Sequence, residues 1–204
     1  MKGEGLKIVI SGPSGSGKGT IVQELLKQGD YKLSISATTR KQRTGEIEGK
    51  HYFFKSKQEF DSMIEKDEML EYAKFCNNYY GTPKEYVDNT IKLGHDIILE
   101  IEVQGALQVK KKYNEAVFIF IMTPTFKELK NRLVSRNTES MDIINNRLTR
   151  ACEELSLFKE YDYIVINDNL EDAIREINTI VAAEKLKSGR YENFIKNVLA
   201  NQEA

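Results

Sequence analysis

GPSGSGKGT, residues 12–20, lies between a short apolar run, residues 6–10, and a helix-like stretch, residues 21–26. Strand, glycine-rich loop and helix in this order are the context of a phosphate-binding loop. The glycines let the backbone wrap so that several N–H groups point at one anion, and the helix adds the positive end of its dipole. Lys18 supplies a positive charge for the outer phosphates. The stretch therefore predicts a site for nucleotide phosphates.

The loop departs from the usual spacing at one position. The common pattern is G-x-x-x-x-G-K-[ST], in which the hydroxyl contacts Mg²⁺. Here Gly19 follows Lys18, and the hydroxyl comes one residue later, at Thr20. Loops that read GKGT occur in nucleoside monophosphate kinases, so we interpret the shift as a trait of that subfamily. A glycine-rich turn without a ligand is the alternative, and the flanking strand and helix argue against it.

Composition narrows the class of protein. The chain has 204 residues, 40% of them hydrophobic, and a formal net charge of −1 with no basic tail. These values indicate a packed core and argue against a nucleic-acid partner, so the loop predicts a single nucleotide as the ligand. Cys76 and Cys152 lack the spacing of a zinc site or a disulfide framework. With no run of membrane-span length and no signal peptide, we expect a cytoplasmic protein without a membrane partner.

Apolar runs alternate with helical patterns along the chain, which predicts an α/β fold with a parallel sheet flanked by helices. A continuous run such as residues 118–121 suits a strand that is buried on both faces. The predicted strands are 8–11, 97–101, 117–122 and 163–166, and the predicted helices are 20–27, 103–112, 126–135 and 171–187. Capping boxes are predicted at Ser56, Thr82 and Thr125.

Two segments interrupt this alternation. Residues 36–89 are rich in tyrosine, phenylalanine and charge, and they predict a small strand-rich insertion. Residues 126–159 are charged and amphipathic, and they predict a helical lid. The predicted core nucleotide-binding domain then comprises residues 1–35, 90–125 and 160–204.

Three groups of polar residues are candidates for chemistry. Arg40 and Arg43 follow a run of hydroxyl residues, and their planar guanidinium groups match the oxygens of a second phosphate. Glu100 and Glu102 come at the end of an apolar strand, on one face, where ligands of parallel sheets gather and where a buried carboxylate needs a donor or a metal. Of two adjacent tyrosines, we expect Tyr79 to pack and Tyr80 to contact the ligand.

With these residues the chain resembles the guanylate kinases, which transfer phosphate from ATP to GMP. The resemblance runs from about residue 6 to residue 187. It is carried by seven motifs in order: GPSGSGKGT from Gly12, SATTRKQR from Ser36, GKHYFF from Gly49, LEYA from Leu70, NYYGT from Asn78, LEIEVQGA from Leu99 and VIND from Val165.

The resemblance implies a role for each matching residue. The residues that would hold the ATP phosphates are Gly12, Pro13, Ser14, Gly15, Ser16, Gly17, Lys18, Gly19 and Thr20, with Asn167 near the adenine. Those that would hold the GMP phosphate are Ser36, Arg40, Arg43, Tyr52 and Tyr80. Those at the guanine would be Glu71, Thr82 and Glu102, with Glu100 beside them. The catalytic cations would be Lys18, Arg40, Arg43 and the lid arginines Arg132, Arg136 and Arg147. Thr20 and Glu100 would help to order Mg²⁺, directly or through water.

Four positions differ from the family pattern. Many members have aspartate where this chain has Glu100 and Glu102, so the distances to base and metal change while the chemistry stays possible. Thr82 stands where serine is also found, which keeps the hydroxyl. Asn137 follows Arg136 where glycine is usual, and asparagine tolerates the same left-handed backbone.

The resemblance implies in-line transfer to GMP or dGMP, with positioning and charge stabilisation in place of a protein nucleophile. A kinase for AMP or UMP would share the loop but would not explain Glu71 or the SATTR segment. A non-catalytic interaction module would typically have lost the intact loop. A regulatory GTPase would need an N-K-x-D segment, which the sequence lacks. The sequence leaves the choice between monomer and homo-oligomer open.

Overall fold

The computed structural model describes residues 3–75, 77–113, 115–135 and 141–201. Its strands are, in chain order, β1 (Lys7–Ser11), β2 (Tyr31–Leu33), β3 (Ala37–Thr38), β4 (Phe53–Phe54), β5 (Met69–Phe75), β6 (Asn78–Pro83), β7 (Asp96–Glu100), β8 (Val117–Met122) and β9 (Tyr163–Ile166). Its helices are α1 (Lys18–Lys27), α2 (Lys57–Glu65), α3 (Lys84–Lys92), α4 (Val103–Lys112), α5 (Phe126–Val134), α6 (Met141–Ser156), α7 (Leu170–Lys185) and α8 (Glu192–Ala200).

The larger sheet has five parallel strands in the order β2-β7-β1-β8-β9. Strand β1 lies at its centre, where Ile8 pairs with Ile98 of β7 on one side and with Val117 of β8 on the other. The carboxyl end of β1 therefore opens at the middle of the sheet edge where ligands of parallel sheets bind. The predicted α/β fold with a parallel sheet is confirmed.

Helices cover both faces of this sheet because its strands are apolar on both sides. Ile8 and Ile10 of β1 pack in one cluster with residues of α1 and α7, such as Leu25 and Ile177. Val9 points to the opposite face and packs in a second cluster with residues of α3, α4 and β8. This two-sided burial holds β1 and the loop that follows it in a fixed position.

The smaller sheet has four strands in the order β4-β3-β6-β5, with β5 at its edge. Strands β5 and β6 form an antiparallel hairpin, and β6 also pairs with β3. Phe60 of α2 is fully buried against one face of this sheet, in a cluster with Ala37 and Met69. The opposite face carries polar residues, among them Glu71 and Thr82, which pair across the hairpin.

The structure adjusts several predicted boundaries. The four predicted strands are present, with β1 and β7 each beginning one residue earlier than predicted, and the predicted helix 103–112 is α4. Strand β2 was missed because it has only three residues, two of them exposed. Helix α8 was also missed, and it buries no residue among those described. No described helix has both the length and the apolar character needed to cross a membrane.

The predicted capping boxes have different outcomes. The Ser56 hydroxyl accepts from the backbone N–H of Glu59, and the Glu59 carboxylate accepts in return from that of Ser56. The Thr125 hydroxyl accepts from the backbone N–H of Glu128, which is one half of the predicted box. The box at Thr82 is wrong, because Thr82 belongs to β6 and the helix that follows has no side-chain cap. The Thr82 hydroxyl makes a tertiary contact instead, described below.

Candidate active site

The loop after β1 is shaped by glycines at positions that other residues cannot occupy. Gly12 has φ +141°, and a Cβ atom there would lie 2.1 Å from the carbonyl oxygen of Ile121. Gly17 has φ +90° and is the N-cap residue of α1. The loop therefore wraps closely over the sheet edge and ends at a helix N-terminus, as an anion site requires.

Lys18 is the first residue of α1, and its side chain crosses back over the loop to Gly12 and Pro13. Its ammonium group donates to the carbonyl oxygens of Gly12 at 2.5 Å and Pro13 at 3.1 Å. These bonds hold the charge over the mouth of the loop. A phosphate bound by the loop would meet a cation already in position.

Asn167 supports the loop from below. It follows β9 and is buried, and its side-chain amide donates to the carbonyl oxygen of Ser16 at 2.8 Å. The backbone carbonyl oxygen of Asn167 accepts from Arg132 Nη2 at 3.0 Å. Arg132 Nε in turn donates to the Glu128 carboxylate at 2.8 Å. The structure thus connects Asn167 and the α5 arginine to the phosphate loop.

Helix α6 brings two further arginines to the same edge. Arg147 Nη1 donates to Ser14 Oγ of the loop at 3.2 Å. Arg150 pairs with Glu102 at 2.5 Å and with Glu154 at 3.1 Å. The predicted lid residues Arg136 and Asn137 lie outside the described residues.

The two glutamates at the end of β7 have different surroundings. Solvent reaches Glu100, the last residue of β7, but the surrounding protein desolvates the carboxyl enough to raise its pKa, against the lowering effect of Lys18. Glu102 is exposed and is the N-cap residue of α4. The expectation that these carboxylates are buried is wrong, because solvent reaches both side chains.

Arg40 is held by a carboxylate of its own loop. Its two terminal nitrogens contact the two Glu46 oxygens at 3.1 Å and 2.6 Å, and Glu46 also accepts from the backbone N–H of Arg43 at 2.8 Å. The Arg40 hydrogen bonds, followed by the bond from Arg43, lower the pKa of Glu46 to about 2. Arg40 is therefore ordered before any phosphate binds.

Aromatic rings complete the surroundings of Arg40. Its guanidinium lies 5.4 Å from the centre of the Tyr52 ring, and the rings of Tyr52 and Tyr80 meet edge to face at 6.1 Å. Tyr79 points to the opposite face and packs against Phe60, as expected for alternating side chains. Ser36 lies just before β3, and its carbonyl accepts from Phe53.

Glu71 is a buried carboxylate on the same face of the smaller sheet. It pairs with Thr82 across the β5–β6 hairpin and is 7% exposed. The Thr82 hydroxyl donates to Glu71 Oε1 at 2.7 Å. Burial raises the pKa of Glu71 above its ordinary value, partly offset by the Thr82 hydrogen bonds, and the nearby Glu102 raises it further.

The polar groups of this face fall into two groups. Tyr80 and Thr82 are two residues apart on β6, so their side chains lie on the same face about 6.6 Å apart along the strand. The Tyr80 end carries the Arg40 cation and phenol hydroxyls, which suit a phosphate. The Thr82 end carries the Glu71 carboxylate, which suits a group with N–H donors.

Sequence reasoning did not select three charged residues that complete these contacts, namely Glu46, Arg150 and Glu154. Glu46 follows Arg43 by three residues, and this spacing is a local signal that could have indicated the pair. Arg150 and Glu154 are four residues apart on α6, but the contact of Arg150 with Glu102 joins distant parts of the chain. No local pattern predicts a contact of that kind.

Comparison with known proteins agrees with this arrangement. A family model described as guanylate kinase matches residues 4–184. The chain is 53% identical to a guanylate kinase of Caldanaerobacter subterraneus subsp. tengcongensis over 93% of both chains, and 51% identical to one of Clostridioides difficile over 94% of both. A crystal structure of guanylate kinase from Anaplasma phagocytophilum is similar with a TM-score of 0.72 and 32% identity, over 93% of this chain and 91% of that one.

The matches cover nearly the whole chain, including both sheets and the helices around them. A glycine loop at the centre of a parallel sheet, together with a second sheet that carries cationic and carboxylate groups, is consistent with two nucleotide sites. The chain therefore belongs to the guanylate kinase family, whose members are nucleoside monophosphate kinases that transfer a phosphoryl group from a nucleotide donor.

Proposed function

We propose that this chain transfers the γ-phosphoryl group of ATP to GMP or dGMP and releases ADP with GDP or dGDP. The observation that carries the proposal is the buried Glu71 carboxylate, held by Thr82 at 2.7 Å on the sheet face that also bears Tyr80. A nucleoside monophosphate has a phosphate at one end and a base edge at the other. The two ends of this face match that order.

The carboxylate explains the choice of base. Guanine presents two adjacent donors, N1–H and the 2-amino group, and a carboxylate accepts from both. Adenine has a lone pair at N1, so one of the two contacts would be repulsive. Thr82 orients the carboxylate, and we assign Glu102 and Glu100 to the open side of the same pocket.

The acceptor phosphate would bind at the cationic end of the face. Arg40 and Arg43 would grip its oxygens, and the hydroxyls of Ser36, Tyr52 and Tyr80 would donate to them. The bidentate bond with Glu46 keeps the guanidinium of Arg40 in one orientation before GMP arrives. Binding then costs less side-chain entropy than it would for a free arginine.

The donor phosphates would bind in the loop formed by residues 12–20. Two anionic substrates must approach in line, and cations are needed to offset their repulsion. Lys18 and Arg147 already contact the loop, and Arg132 lies beside it through Asn167. We assign Arg136 to the same group of cations on the sequence motif alone. Asn167, which supports the loop, would lie on the adenine side.

Two residues with oxygen atoms suit a magnesium ion, namely Thr20 in the first turn of α1 and Glu100 at the end of β7. Thr20 and Glu100 are both open to solvent, and Mg²⁺ typically uses one or two protein oxygens together with water and substrate phosphates. No cluster of three His, Cys, Asp or Glu side chains occurs among the described residues, which suits an ion that arrives with ATP. Thr20 and Glu100 would hold Mg²⁺, which would neutralise charge on the phosphates.

We further propose three functional units. Residues 1–35, 90–125 and 160–204 would form the core nucleotide-binding domain, residues 36–89 the GMP-binding insertion, and residues 126–159 the lid. Closure of the last two over the core would exclude water, which would otherwise hydrolyse ATP. A cytoplasmic location is the matching proposal for an enzyme that works on free nucleotides with reduced thiols.

A coupled assay with ATP and each of GMP, dGMP, AMP, UMP and CMP tests the proposal. A site built to bond one base edge rejects other bases by as much as about 10⁴-fold, so we expect kcat/KM for GMP to exceed that for AMP by at least about 10³. Omission of Mg²⁺ should abolish turnover. Equal use of AMP and GMP would overturn the assignment of the base, and binding of GMP without turnover would indicate a non-catalytic module.

A further inference from the structure

Helix α4 lies along the open edge of the smaller sheet. Strand β5 is the edge strand, so no described strand pairs with the outward N–H and C=O groups of its residues. The side chain of Gln108 in α4 forms hydrogen bonds with both the N–H and the C=O group of Tyr72. Its side-chain amide donates to the carbonyl oxygen of Tyr72 at 3.1 Å, and its side-chain oxygen accepts from the N–H of Tyr72 at 3.1 Å.

A primary amide suits this contact, because it offers a donor and an acceptor side by side, as a neighbouring strand would. Two further residues on the same face of α4 also contact β5 or the loop before it. Lys112 donates to Asp67 and, at 2.7 Å, to the carbonyl oxygen of Met69. Gly105, three residues before Gln108, faces Glu71.

The contact at Gly105 is close. A Cβ atom on Gly105 would lie 2.9 Å from Glu71 Oε2, and the other carboxylate oxygen is held by Thr82. Glu71 precedes Tyr72 in the strand, so the bond to Gln108 fixes the backbone next to the carboxylate. Helix α4 thus restricts the position of Glu71 at two points. Gly105 lies against the Glu71 carboxylate, and Gln108 holds the backbone of the next residue, Tyr72.

We propose that Gln108 and Gly105 are positioning residues that set the preference for guanine by fixing the Glu71 carboxylate against α4. The inference rests on the proposed function, in which Glu71 reads the base. Neither residue contacts the substrate in this proposal. Both act through the placement of one carboxylate, so their effect falls on the base and leaves the donor nucleotide unaffected.

The first test replaces the amide by a side chain of similar size. Gln108→Met keeps helix propensity and volume but removes both hydrogen bonds. In the free protein, hydrogen exchange of the Tyr72 amide should speed up. With substrates, kcat/KM for GMP should fall about 3- to 10-fold, the size of one net hydrogen bond, while AMP turnover and KM for ATP stay within twofold. Gln23→Met, at an exposed position of α1, is the matched control and should change none of these values.

The second test fills the space at Gly105. Gly105→Ala raises helix propensity, which offsets part of the cost of the close contact, so the melting temperature without nucleotide should change little. Its methyl group should displace the carboxylate and lower the GMP to AMP ratio by about tenfold or more. This split between stability and specificity separates a positioning role from a structural one.

Three results would count against the inference. Unchanged Tyr72 exchange in Gln108→Met would show that the contact is not made, and an equal loss for GMP and AMP would show a general structural role. An unchanged ratio of kcat/KM for GMP to that for AMP in Gly105→Ala would show that the added methyl group does not displace the carboxylate. A wild-type chain without preference for GMP over AMP would instead overturn the proposed function, and this inference with it.

Discussion

The phosphate loop and the acceptor face of the smaller sheet are built in opposite ways. The acceptor face is the face with Glu71, Tyr80 and Thr82, and the adjoining Arg40, which we assign to the acceptor nucleotide. The loop is one continuous stretch, residues 12–20, and backbone groups shape it, with Lys18 bonded to its carbonyls. The acceptor face collects side chains from β3 to β7, and its contacts are between side chains, as for Arg40 with Glu46 and Glu71 with Thr82. One site is set by main-chain conformation and the other by pairing of side chains.

In the proposed function, this difference separates affinity for phosphate from recognition of the base. A backbone cradle accepts any nucleotide triphosphate tail, because N–H groups do not read a base. A buried carboxylate reads one base edge and leaves other analogues with an unpaired group. Substitutions in the loop should therefore affect all substrates together, whereas substitutions on the acceptor face should change the ratio between substrates.

The largest effect is expected at Lys18. Lys18→Ala removes the charge that the loop carbonyls hold in position, and removal of one preorganised stabiliser typically lowers kcat by about 10²–10³-fold. The loss should be equal for every acceptor nucleotide. Lys27→Ala, at an exposed position of the same helix, serves as the control in steady-state assays. Turnover close to that of the wild type would contradict the assignment of the loop.

The next largest effect is expected at Glu71. Glu71→Gln keeps the shape but turns one acceptor into a donor that would face a guanine donor, at a cost of about 1–3 kcal/mol. We expect kcat/KM for GMP to fall about 10- to 100-fold, with AMP unchanged or slightly improved. Glu68→Gln is the exposed control in the segment before β5. Equal losses for GMP and AMP would make Glu71 a structural carboxylate.

The raised pKa of Glu71 predicts that the effect of Glu71→Gln on kcat/KM for GMP depends on pH. Burial raises the pKa of this carboxyl, so the group gains its proton at a higher pH than an ordinary glutamate. A protonated carboxyl loses an acceptor for guanine, and kcat/KM for GMP should decline on the acid side. The GMP phosphate titrates in the same way with the wild type and with Glu71→Gln, so its effect cancels in the ratio of their kcat/KM values. The ratio of wild type to Glu71→Gln should therefore shrink as pH falls, and a constant ratio would exclude this origin.

The same difference explains what could be predicted from the sequence. The glycine loop and the strands β1, β8 and β9 have local signals, namely apolar runs and a glycine pattern, and their positions were predicted to within one residue. Strand β2 has three residues and only Tyr31 of them is buried, so no periodicity marks it. Its place at the sheet edge depends on pairing with β7, which is a tertiary event.

The acceptor face was predicted as a set of residues but without its pairings. Motifs selected Glu71 and Thr82, whereas the bond between them was missed, and Thr82 was wrongly assigned to a helix cap. The bond of Gln108 to Tyr72 joins residues 36 apart, and that of Arg150 to Glu102 joins residues 48 apart. Contacts at such separations depend on how the two sheets and α4 come together, which no local pattern contains.

A smaller effect is expected where α6 meets the phosphate loop. Arg147 donates to Ser14, so Arg147→Ala should remove a charge that acts on the phosphates after both substrates bind. We expect kcat to fall about tenfold with the calorimetric Kd for GMP unchanged, because an interaction made late lowers kcat rather than affinity. Arg175→Ala on the exposed face of α7 is the control. A large loss of GMP affinity with kcat intact would move Arg147 to the acceptor site.

The smallest effect is expected at Glu46, on the acceptor face. Glu46→Gln weakens the bidentate bond that orders Arg40 and the bond to the Arg43 backbone. The arginine would then have to be ordered by GMP itself, so KM for GMP should rise about threefold, a cost comparable to immobilising one side chain. KM for ATP should not change. Glu48→Gln, whose carboxylate accepts from Phe54, is the control in the same loop.

The sign of this change decides what Glu46 does. If Glu46 orders Arg40, its loss raises KM for GMP, whereas if it competes with the phosphate for the guanidinium, its loss lowers KM. The pKa of Glu46 is depressed from 4.5 to about 2, so its contribution to stability is present above pH 4.5 and is lost as pH falls toward 2. Between pH 6 and 8 the charge of Glu46 is constant. The KM ratio of Glu46→Gln to wild type should therefore be flat in that range, in contrast to the acid-sensitive ratio expected for Glu71→Gln.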